Sequence, residues 1–438
     1  MSILEEPEAQ ALLRQASVSA GDVVACQGRL TAFLQRYLPL LYRKEHRHNA
    51  KVVVQGMLSG LPRKTAEPIA RQAGLQRKPI QFFVGAGKWN DEAVMAELRK
   101  HVAEELADER AVLVIDPSAF PKKGSESSGV QRQWCGRLGK IENCQIGLFL
   151  TYAAPGGHAP LDRRLYLPAE WAADRARRRK CHVPKEVVYQ ETWRMALDLL
   201  DRSRHQLPHG WVAADEEFGR SSQFRAQLRQ RQEQYFLKIP ANLLVRDLET
   251  PGPAGKKQGC RGGRYKPPFC RADEWAARQR SSRWQKFHVR DGEKGPLEVE
   301  AMEVLVQTKQ QSRVGPTERL VVIRTVDRDR LVGYGLSNAP REVPLGELLR
   351  VHGERHWIEQ MLEEGKGEAG LGQYEVRSWI GWHHHMTLSL LSLWFLQLER
   401  RRVGGKKGGG DGAADARDLL ASAATPGSLT PADRPRSQ

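Results

Sequence analysis

The sequence lacks any long hydrophobic run. Its longest apolar stretch, Met386 to Leu398, covers about a dozen residues and includes Thr, Ser and Gln, whereas a helix needs about 20 to span a bilayer. The first ten residues, MSILEEPEAQ, are acidic and do not have the apolar core of a secretory signal. We therefore expect a cytoplasmic protein that is neither membrane-bound nor exported.

Cysteine and acidic residues are also in short supply. Six cysteines occur, none as a C-x-x-C pair, so the expected state is reduced thiols without a disulfide framework. The chain has 52 Asp and Glu against 69 Lys and Arg, a net charge of +17 at pH 7. That excess favours a polyanionic partner. With 11 Trp, 11 Phe and 9 Tyr in 438 residues, the composition can build a core and excludes a wholly disordered protein.

The hydrophobic pattern divides the chain into successive regions. Residues 1–85 are predicted to be helical and basic; a helix–break–helix of this kind could bind DNA phosphates or form the solvated face of a bundle. Strands alternate with helices over 86–240, which predicts a layered α/β unit. The stretch 241–340 has a β-rich texture, 341–402 returns to helices, and 403–438 is low in complexity and predicted to be disordered.

Shorter patterns predict individual elements. An amphipathic helix with Asn90 as its N-cap should precede the first strand. Strands are predicted at 111–116, 144–154, 163–168, 210–215 and 235–240, and helices at about 185–205, 221–232, 344–366 and 383–399.

Two aspartates, Asp116 and Asp215, each close a short hydrophobic strand. In open α/β sheets, functional groups gather at the carboxyl ends of strands. If the two strands are neighbours, the carboxylates lie side by side and repel each other unless a cation lies between them. Oxygen-only ligation suits Mg²⁺ or Mn²⁺. The alternative for either aspartate is a helix cap or a loop residue.

The predicted 344–366 helix offers a third acid. With His352 at 0°, a step of 100° per residue places Arg355 at about 300°, Glu359 at about 340° and Lys366 at about 320°, all on one face. Glu363, at about 20°, is a competing acid. An acid with cations on its own face fits a metal ligand beside phosphate-holding groups. A surface ladder of ion pairs is the alternative.

Several blocks of the sequence resemble the DDE transposases of bacterial insertion sequences, specifically the insertion sequence 701 type. The similarity runs over most of residues 30–400. The blocks are GMLSGLPRKTAEPIA (56–70), VIDPSAFPKKG (114–124), GVQRQWCGRLGKIENCQIGLFLTYAA (129–154), WVAADEEFGRSSQFRAQLR (211–229), VRDGEKGPLEVE (289–300) and RHWIEQMLEEGKGEAGLGQYEVRSWIGWHHHMTLSLL (355–391).

The resemblance implies an RNase H-like mixed sheet with flanking helices, interrupted by a β-rich insertion at 241–340. The catalytic core would then comprise 86–240 and 341–402. Its Asp, Asp and Glu would bind two Mg²⁺ ions, for which Mn²⁺ could substitute, and the two aspartates correspond to Asp116 and Asp215.

Related transposases also share a signature of Tyr, two residues, Arg, three residues, Glu, six residues and Lys. It falls on His352, Arg355, Glu359 and Lys366, which selects Glu359 as the acid. His352 replaces the tyrosine; imidazole can also donate to a phosphate.

The implied activity is a transposase that nicks the ends of an insertion sequence and joins them to target DNA. Its partners would be terminal inverted repeats, target DNA and further copies of the chain, as a homodimer or higher multimer in the bacterial nucleoid. A catalytically silent DNA-binding relative and an RNase H-type nuclease without joining activity are the alternatives. The basic residues that border the strand of the first acid could hold the DNA backbone or simply be solvated; they are Lys122, Lys123, Arg132 and Lys140.

Overall fold

The computed structural model of the chain describes residues 20–250, 266–290, 297–310, 313–326 and 330–404. Nearly all of the tail for which the sequence predicts disorder, 403–438, lies outside these residues.

Helices occupy the first part of the described chain. They are α1 (Ala20–Tyr37), α2 (Lys44–Leu58), α3 (Ala66–Gln72), α4 (Arg77–Gly85) and α5 (Asp91–Leu106). The side chain of Asn90 accepts a hydrogen bond from the Ala93 amide at 3.1 Å, which confirms it as the N-cap of α5. The buried residues of these helices belong to the same apolar core as the sheet that follows.

A mixed sheet forms the centre of the molecule. Five of its strands lie in the order β4-β3-β1-β5-β6. The pairs β4–β3 and β3–β1 are antiparallel, and the pairs β1–β5 and β5–β6 are parallel. Helices flank this sheet, so the structure has the mixed α/β sheet with flanking helices that the resemblance implied. The strands are β1 (Val112–Pro121), β2 (Gln131–Cys135), β3 (Lys140–Ala154), β4 (Gly157–Leu165), β5 (Trp211–Ala214) and β6 (Tyr235–Ile239).

Further strands extend the sheet beyond β6. The last of them in sequence pairs antiparallel with β6, so the β-rich region continues the central sheet instead of forming a separate one. Trp275 and eleven other buried side chains form a second, smaller apolar cluster there. The strands are β7 (Leu244–Asp247), β8 (Cys270–Arg271), β9 (Gln285–Arg290), β10 (Leu297–Gln310), β11 (Arg313–Thr325) and β12 (Arg330–Ser337).

The remaining helices flank the sheet. They are α6 (Ala169–Ala173), α7 (Arg175–Lys180), α8 (Thr192–Ser203), α9 (Glu216–Gly219), α10 (Ser222–Gln230), α11 (Ala272–Ala277), α12 (Leu345–Glu354), α13 (His356–Gly367) and α14 (Trp379–Gly404). None of the helices in the described ranges has the length and apolar character needed to cross a membrane.

The predicted helix at 344–366 is wrong in one respect that matters for the site. Two helices occupy this stretch, and Arg355 is both the C-cap of α12 and the N-cap of α13. The single-helix angles therefore do not apply from His352 to Lys366. Instead, α13 buries Ile358, Met361 and Leu362, which have the i, i+3, i+4 spacing of one helix face.

Other predicted boundaries also need correction. The strand predicted to end at Asp116 continues to Pro121, because β3 pairs with it from Val112↔Ala153 to Pro121↔Cys144. The strand expected at 163–168 is β4, which covers Gly157–Leu165. The helix expected at about 185–205 is α8, which covers only Thr192–Ser203. The helix expected at 383–399 is longer at both ends. Pairing partners distant in sequence set these limits, and local periodicity does not report them.

The His383-His384-His385 run lies inside the protein on α14. The three residues are 8%, 1% and 4% exposed. The His384 ring stacks on Trp89 at 3.8 Å between centroids, and His385 Nε2 lies 2.9 Å from the carbonyl oxygen of Gly370. Burial lowers the pKa of each imidazole to about 4. The run is therefore part of the core, and the 100° step between adjacent helical residues points the three rings in different directions.

These buried histidines predict a loss of stability in mild acid. In the unfolded chain each imidazole takes up a proton near pH 6.5, whereas in the folded protein it resists protonation down to about pH 4. Between those pH values the unfolded state binds more protons, so the free energy of unfolding should fall by up to about 4 kcal/mol per pH unit from the three groups. Urea unfolding across this pH range measures the slope.

A matched pair of variants isolates the contribution of the run. His384→Gln should reduce the fall in the free energy of unfolding with decreasing pH by about 1.4 kcal/mol per pH unit, the contribution of one group. His205→Gln, at an exposed position, should leave this fall as it is in the wild type. Equal slopes for the two variants would contradict the buried, neutral state of His384.

Candidate active site

Asp116 and Asp215 lie side by side at the centre of the sheet. The parallel register of β1 and β5 pairs Ile115 with Ala214, so each aspartate is the next residue along its strand. Neighbouring strands are about 4.8 Å apart, which places the two side chains in one small region. Asp215 also caps α9, since its carboxylate accepts a hydrogen bond from the Glu217 amide at 3.1 Å.

Glu359 reaches the same region from α13, which packs on β1. One guanidinium nitrogen of Arg355, Nη2, lies 2.8 Å from Glu359 Oε1 and 3.9 Å from Asp116 Oδ1. The Arg355 side chain is 8% exposed and that of Asp116 is 16% exposed, whereas that of Glu359 is 52% exposed. The guanidinium therefore lies between the buried aspartate and the more open glutamate.

The electrostatics of the two aspartates are those of crowded, desolvated acids. Burial raises the pKa of Asp116 to about 8; the neighbouring charge of Asp215 raises it further, and Arg355 opposes the rise. Burial also raises the pKa of Asp215, against the lowering effects of Arg355 and of hydrogen bonds from the Glu217 and Phe218 amides. Additional positive charge at this point would stabilise both carboxylates in their ionised form.

The donor set fits a hard divalent cation. Asp116, Asp215 and Glu359 offer only carboxylate oxygens, the ligands that Mg²⁺ and Mn²⁺ prefer. In the part of the chain that the structure describes, no three His, Cys, Asp or Glu side chains are grouped closely enough to hold one ion. Glu359 is instead paired with Arg355, so a rotation of its exposed side chain would be needed to complete the set.

Two lysines complete the charged surroundings, and sequence reasoning missed one of them. Lys238 on β6 is close enough to Asp116 for its charge to oppose the raised pKa of that acid. Burial, followed by the charge of Arg355, lowers the pKa of Lys238 itself. The one signal in the sequence was a lysine inside the apolar strand YFLKIP. Lys366, which the signature did identify, lies 5.8 Å from the Phe120 ring and is influenced by Asp116.

His352 does not lie on an open surface. Its ring packs edge-on against Phe236 at 5.6 Å, and burial lowers its pKa to about 3. Its Nδ1 is buried without a hydrogen-bond partner. The imidazole is therefore neutral at physiological pH, and as placed it supports the α12–β6 contact.

The four basic residues near β1 are placed in different ways. Lys122 points inward: its Nζ donates to the Tyr374 carbonyl at 3.0 Å and lies 3.2 Å from the centroid of the Tyr374 ring. Burial lowers its pKa to about 7. Lys123 and Arg132 are exposed, and Lys140 is exposed with an ion pair to Glu142 at 3.4 Å. Contact with DNA therefore stays a prediction for all four, and Lys122 would have to leave its internal partners to make it.

Comparisons with known proteins show which families the chain is similar to. The family model described as "DDE superfamily endonuclease" matches residues 36–296. A curated relative, the "Probable transposase for insertion sequence element IS701" of Microchaete diplosiphon, is 30% identical over 116 residues, which span 26% of this chain and 30% of the relative. A cryo-EM structure of a piggyBac transposase synaptic complex with hairpin DNA aligns at 10% identity and a TM-score of 0.41, covering 87% of this chain and 71% of that one.

Proposed function

The chain belongs to the DDE superfamily endonucleases, and from that premise we propose that it is a transposase that nicks insertion-sequence ends and joins them to target DNA. The observation that carries the proposal is that Asp116 and Asp215 follow paired positions on neighbouring strands, while Arg355 contacts both Asp116 and Glu359. Endonucleases of this family generally use divalent metal ions, and we propose Mg²⁺, with Mn²⁺ as a substitute.

Within this proposal the three acids hold two metal ions. When bound, the ions would activate a water or a DNA 3′-hydroxyl for in-line attack and stabilise the leaving 3′-oxygen. Asp116 and Asp215 are held rigidly, by strand pairing and by the N-cap of α9, and so would supply the fixed part of the site. Glu359 is more exposed and would complete the ligand set when its pairing with Arg355 is broken.

The cations of the site would bind the DNA backbone. Arg355 donates through a planar guanidinium, which suits a phosphate as well as a carboxylate. With the acids acting as metal ligands, the Arg355 guanidinium would be free to pair with the scissile or an adjacent phosphate. Lys366 and Lys238 lie within the electrostatic range of the acids and would add positive charge along the same strand.

The rest of the chain would serve DNA binding and assembly. We propose that the helical region 1–85 recognises terminal inverted repeats and that the β-rich insertion 241–340 supports the DNA held at the core formed by 86–240 and 341–402. The multimer would be a homodimer or larger, formed on DNA. The net charge of +17 would favour rapid association with DNA and a strong dependence on salt.

One assay tests the proposal. The purified chain is incubated with Mg²⁺ and labelled DNA that carries the inverted repeats flanking its coding region, with Asp116→Ala in parallel. We expect nicked ends and joined products from the wild type. Binding without cleavage would instead identify a catalytically silent relative, and cleavage without joining would identify a nuclease of RNase H type.

A further inference from the structure

The sheet carries an exposed hairpin next to the candidate active site. Its strands are β2 and the start of β3, and a 3-10 turn at Gly136–Leu138, followed by Gly139 at φ 61°, joins them. We refer to residues 131–142 as the edge hairpin. The turn contacts β1, the strand that carries Asp116.

One face of the edge hairpin is apolar and open. Trp134 pairs with Ile141 across the two strands, so their side chains lie next to each other. They are 62% and 59% exposed, and Leu138 at the turn is 45% exposed. The structure describes all eleven tryptophans of the chain, and Trp134 is the one that is mostly exposed. Trp275, for comparison, is 4% exposed and donates to Asp247.

The surroundings of this apolar face are positively charged. Arg132 is two residues before Trp134 and lies on the same side of its strand, Arg137 lies in the turn, and Lys140 follows the turn. Glu142 is the one acidic residue within 131–142, and it is paired with Lys140. Like charges disfavour the meeting of two copies through this face, whereas a polyanion is attracted to it.

The edge hairpin also faces the candidate active site. Lys366 Nζ lies 5.8 Å from the Phe120 ring on β1. Burial lowers the pKa of Lys366, and the charge of Arg137 in the turn lowers it further, whereas Asp116 opposes this fall. Lys366 therefore lies near both Asp116 and the turn of the edge hairpin, so a DNA strand that reaches Lys366 would approach the hairpin.

We propose that the edge hairpin binds DNA at the cleavage site and that Trp134 stacks on a base displaced from the duplex. An open indole flanked by arginine and lysine side chains is the combination that holds unpaired bases, because every base has an aromatic face and a phosphate beside it. Ile141 and Leu138 would support the indole from one side. This inference rests on the proposed function and names the part of the DNA that the site engages.

A double-mutant cycle, which combines a substitution in the protein with the removal of one base from the DNA, tests the stacking. The probe is duplex DNA with the terminal inverted repeat, in which each nucleotide around the cleavage site is replaced in turn by an abasic one. Affinity is measured by fluorescence anisotropy with Ca²⁺ in place of Mg²⁺, so that the reading does not require cleavage. We expect one position at which loss of the base weakens binding by the wild type about tenfold to a hundredfold.

At that position Trp134→Ala should bind the abasic and the intact DNA equally, because the partner of the base is already gone. Trp134→Phe should retain most of the difference, and Tyr189→Ala, which removes an aromatic ring of 44% exposure outside the hairpin, should behave as the wild type. Since Trp134 is exposed, its replacement should leave the thermal midpoint unchanged.

Additive effects of Trp134→Ala and base removal at every position would overturn the inference. The inference would also be overturned if Trp134→Ala changed the oligomeric mass of the DNA-free protein and left DNA binding unchanged. The apolar face would then be a contact between subunits. Cleavage by Asp116→Ala at the rate of the wild type would refute the proposed function instead, and the anisotropy result would be unaffected.

Discussion

Replacing Asp116 by alanine is expected to reduce DNA cleavage by at least about a thousandfold while leaving the protein folded. The carboxylate belongs to the rigid part of the site, because β1 is paired on both sides, with β3 and with β5. Another side chain cannot move in to replace it. The folded state should not suffer, because the variant removes an acid whose ionised form is disfavoured by burial and by Asp215. Rates of nicking on inverted-repeat DNA measure the effect.

Metal binding provides a second test of the role of Asp116, and this test does not depend on activity. A ligand that binds the folded state alone raises the thermal midpoint, by an amount that grows with its concentration. Addition of Mg²⁺ or Mn²⁺ to metal-free wild type should therefore raise the midpoint, and addition to Asp116→Asn should not. Normal cleavage by the alanine variant, or an equal metal shift in the asparagine variant, would remove Asp116 from the site.

Replacing Glu359 by glutamine is expected to have an effect of similar size, at least about a hundredfold to a thousandfold on cleavage. Its carboxylate is the one acidic group of α13 whose pairing with Arg355 places it beside Asp116. Glutamine preserves the size and one oxygen of the side chain but removes the charge that a metal ligand needs. Nicking rates again give the measurement.

Glu363 is the matched control for this change. It lies one turn later on the same helix and is exposed, and its charge influences Lys366. Glu363→Gln should stay within about threefold of the wild type, as expected for the loss of one exposed charge. A severe defect in Glu363→Gln with a mild one in Glu359→Gln would exchange the roles of the two glutamates.

Arg355 lies beside both Asp116 and Glu359 and supplies positive charge to each. Burial raises the pKa of Asp116 to about 8, and the charge of Asp215 on the adjacent strand raises it further. The guanidinium supplies part of the missing positive charge from the point where α12 ends and α13 begins. Arg355 keeps helical backbone angles at this join, φ -58° and ψ -27°, and its side chain contacts Glu359, four residues later, as well as Asp116 on β1.

The sequence by itself determined the strand that contains Asp116 and the strand that ends before Asp215, the alternation that makes an α/β sheet, and the spacing of Arg355, Glu359 and Lys366. These features are local: hydrophobic runs, β-branched residues and intervals along one segment carry them. The matching blocks then supplied the family, which the comparison with known endonucleases confirmed. The order of the acids, which the same blocks supplied, stays a prediction.

Only the tertiary structure decided the rest. The continuation of β1 to Pro121 follows from pairing with β3, and the inward turn of Lys122 follows from its contact with Tyr374. The join of two helices at Arg355 was likewise absent from the local pattern. The approach of Lys238 to the acids and the exposure of Trp134 are likewise set by partners far away in the chain. Local patterns report which faces of a segment are apolar, but the neighbour against which each face packs is chosen by the free energy of the whole fold.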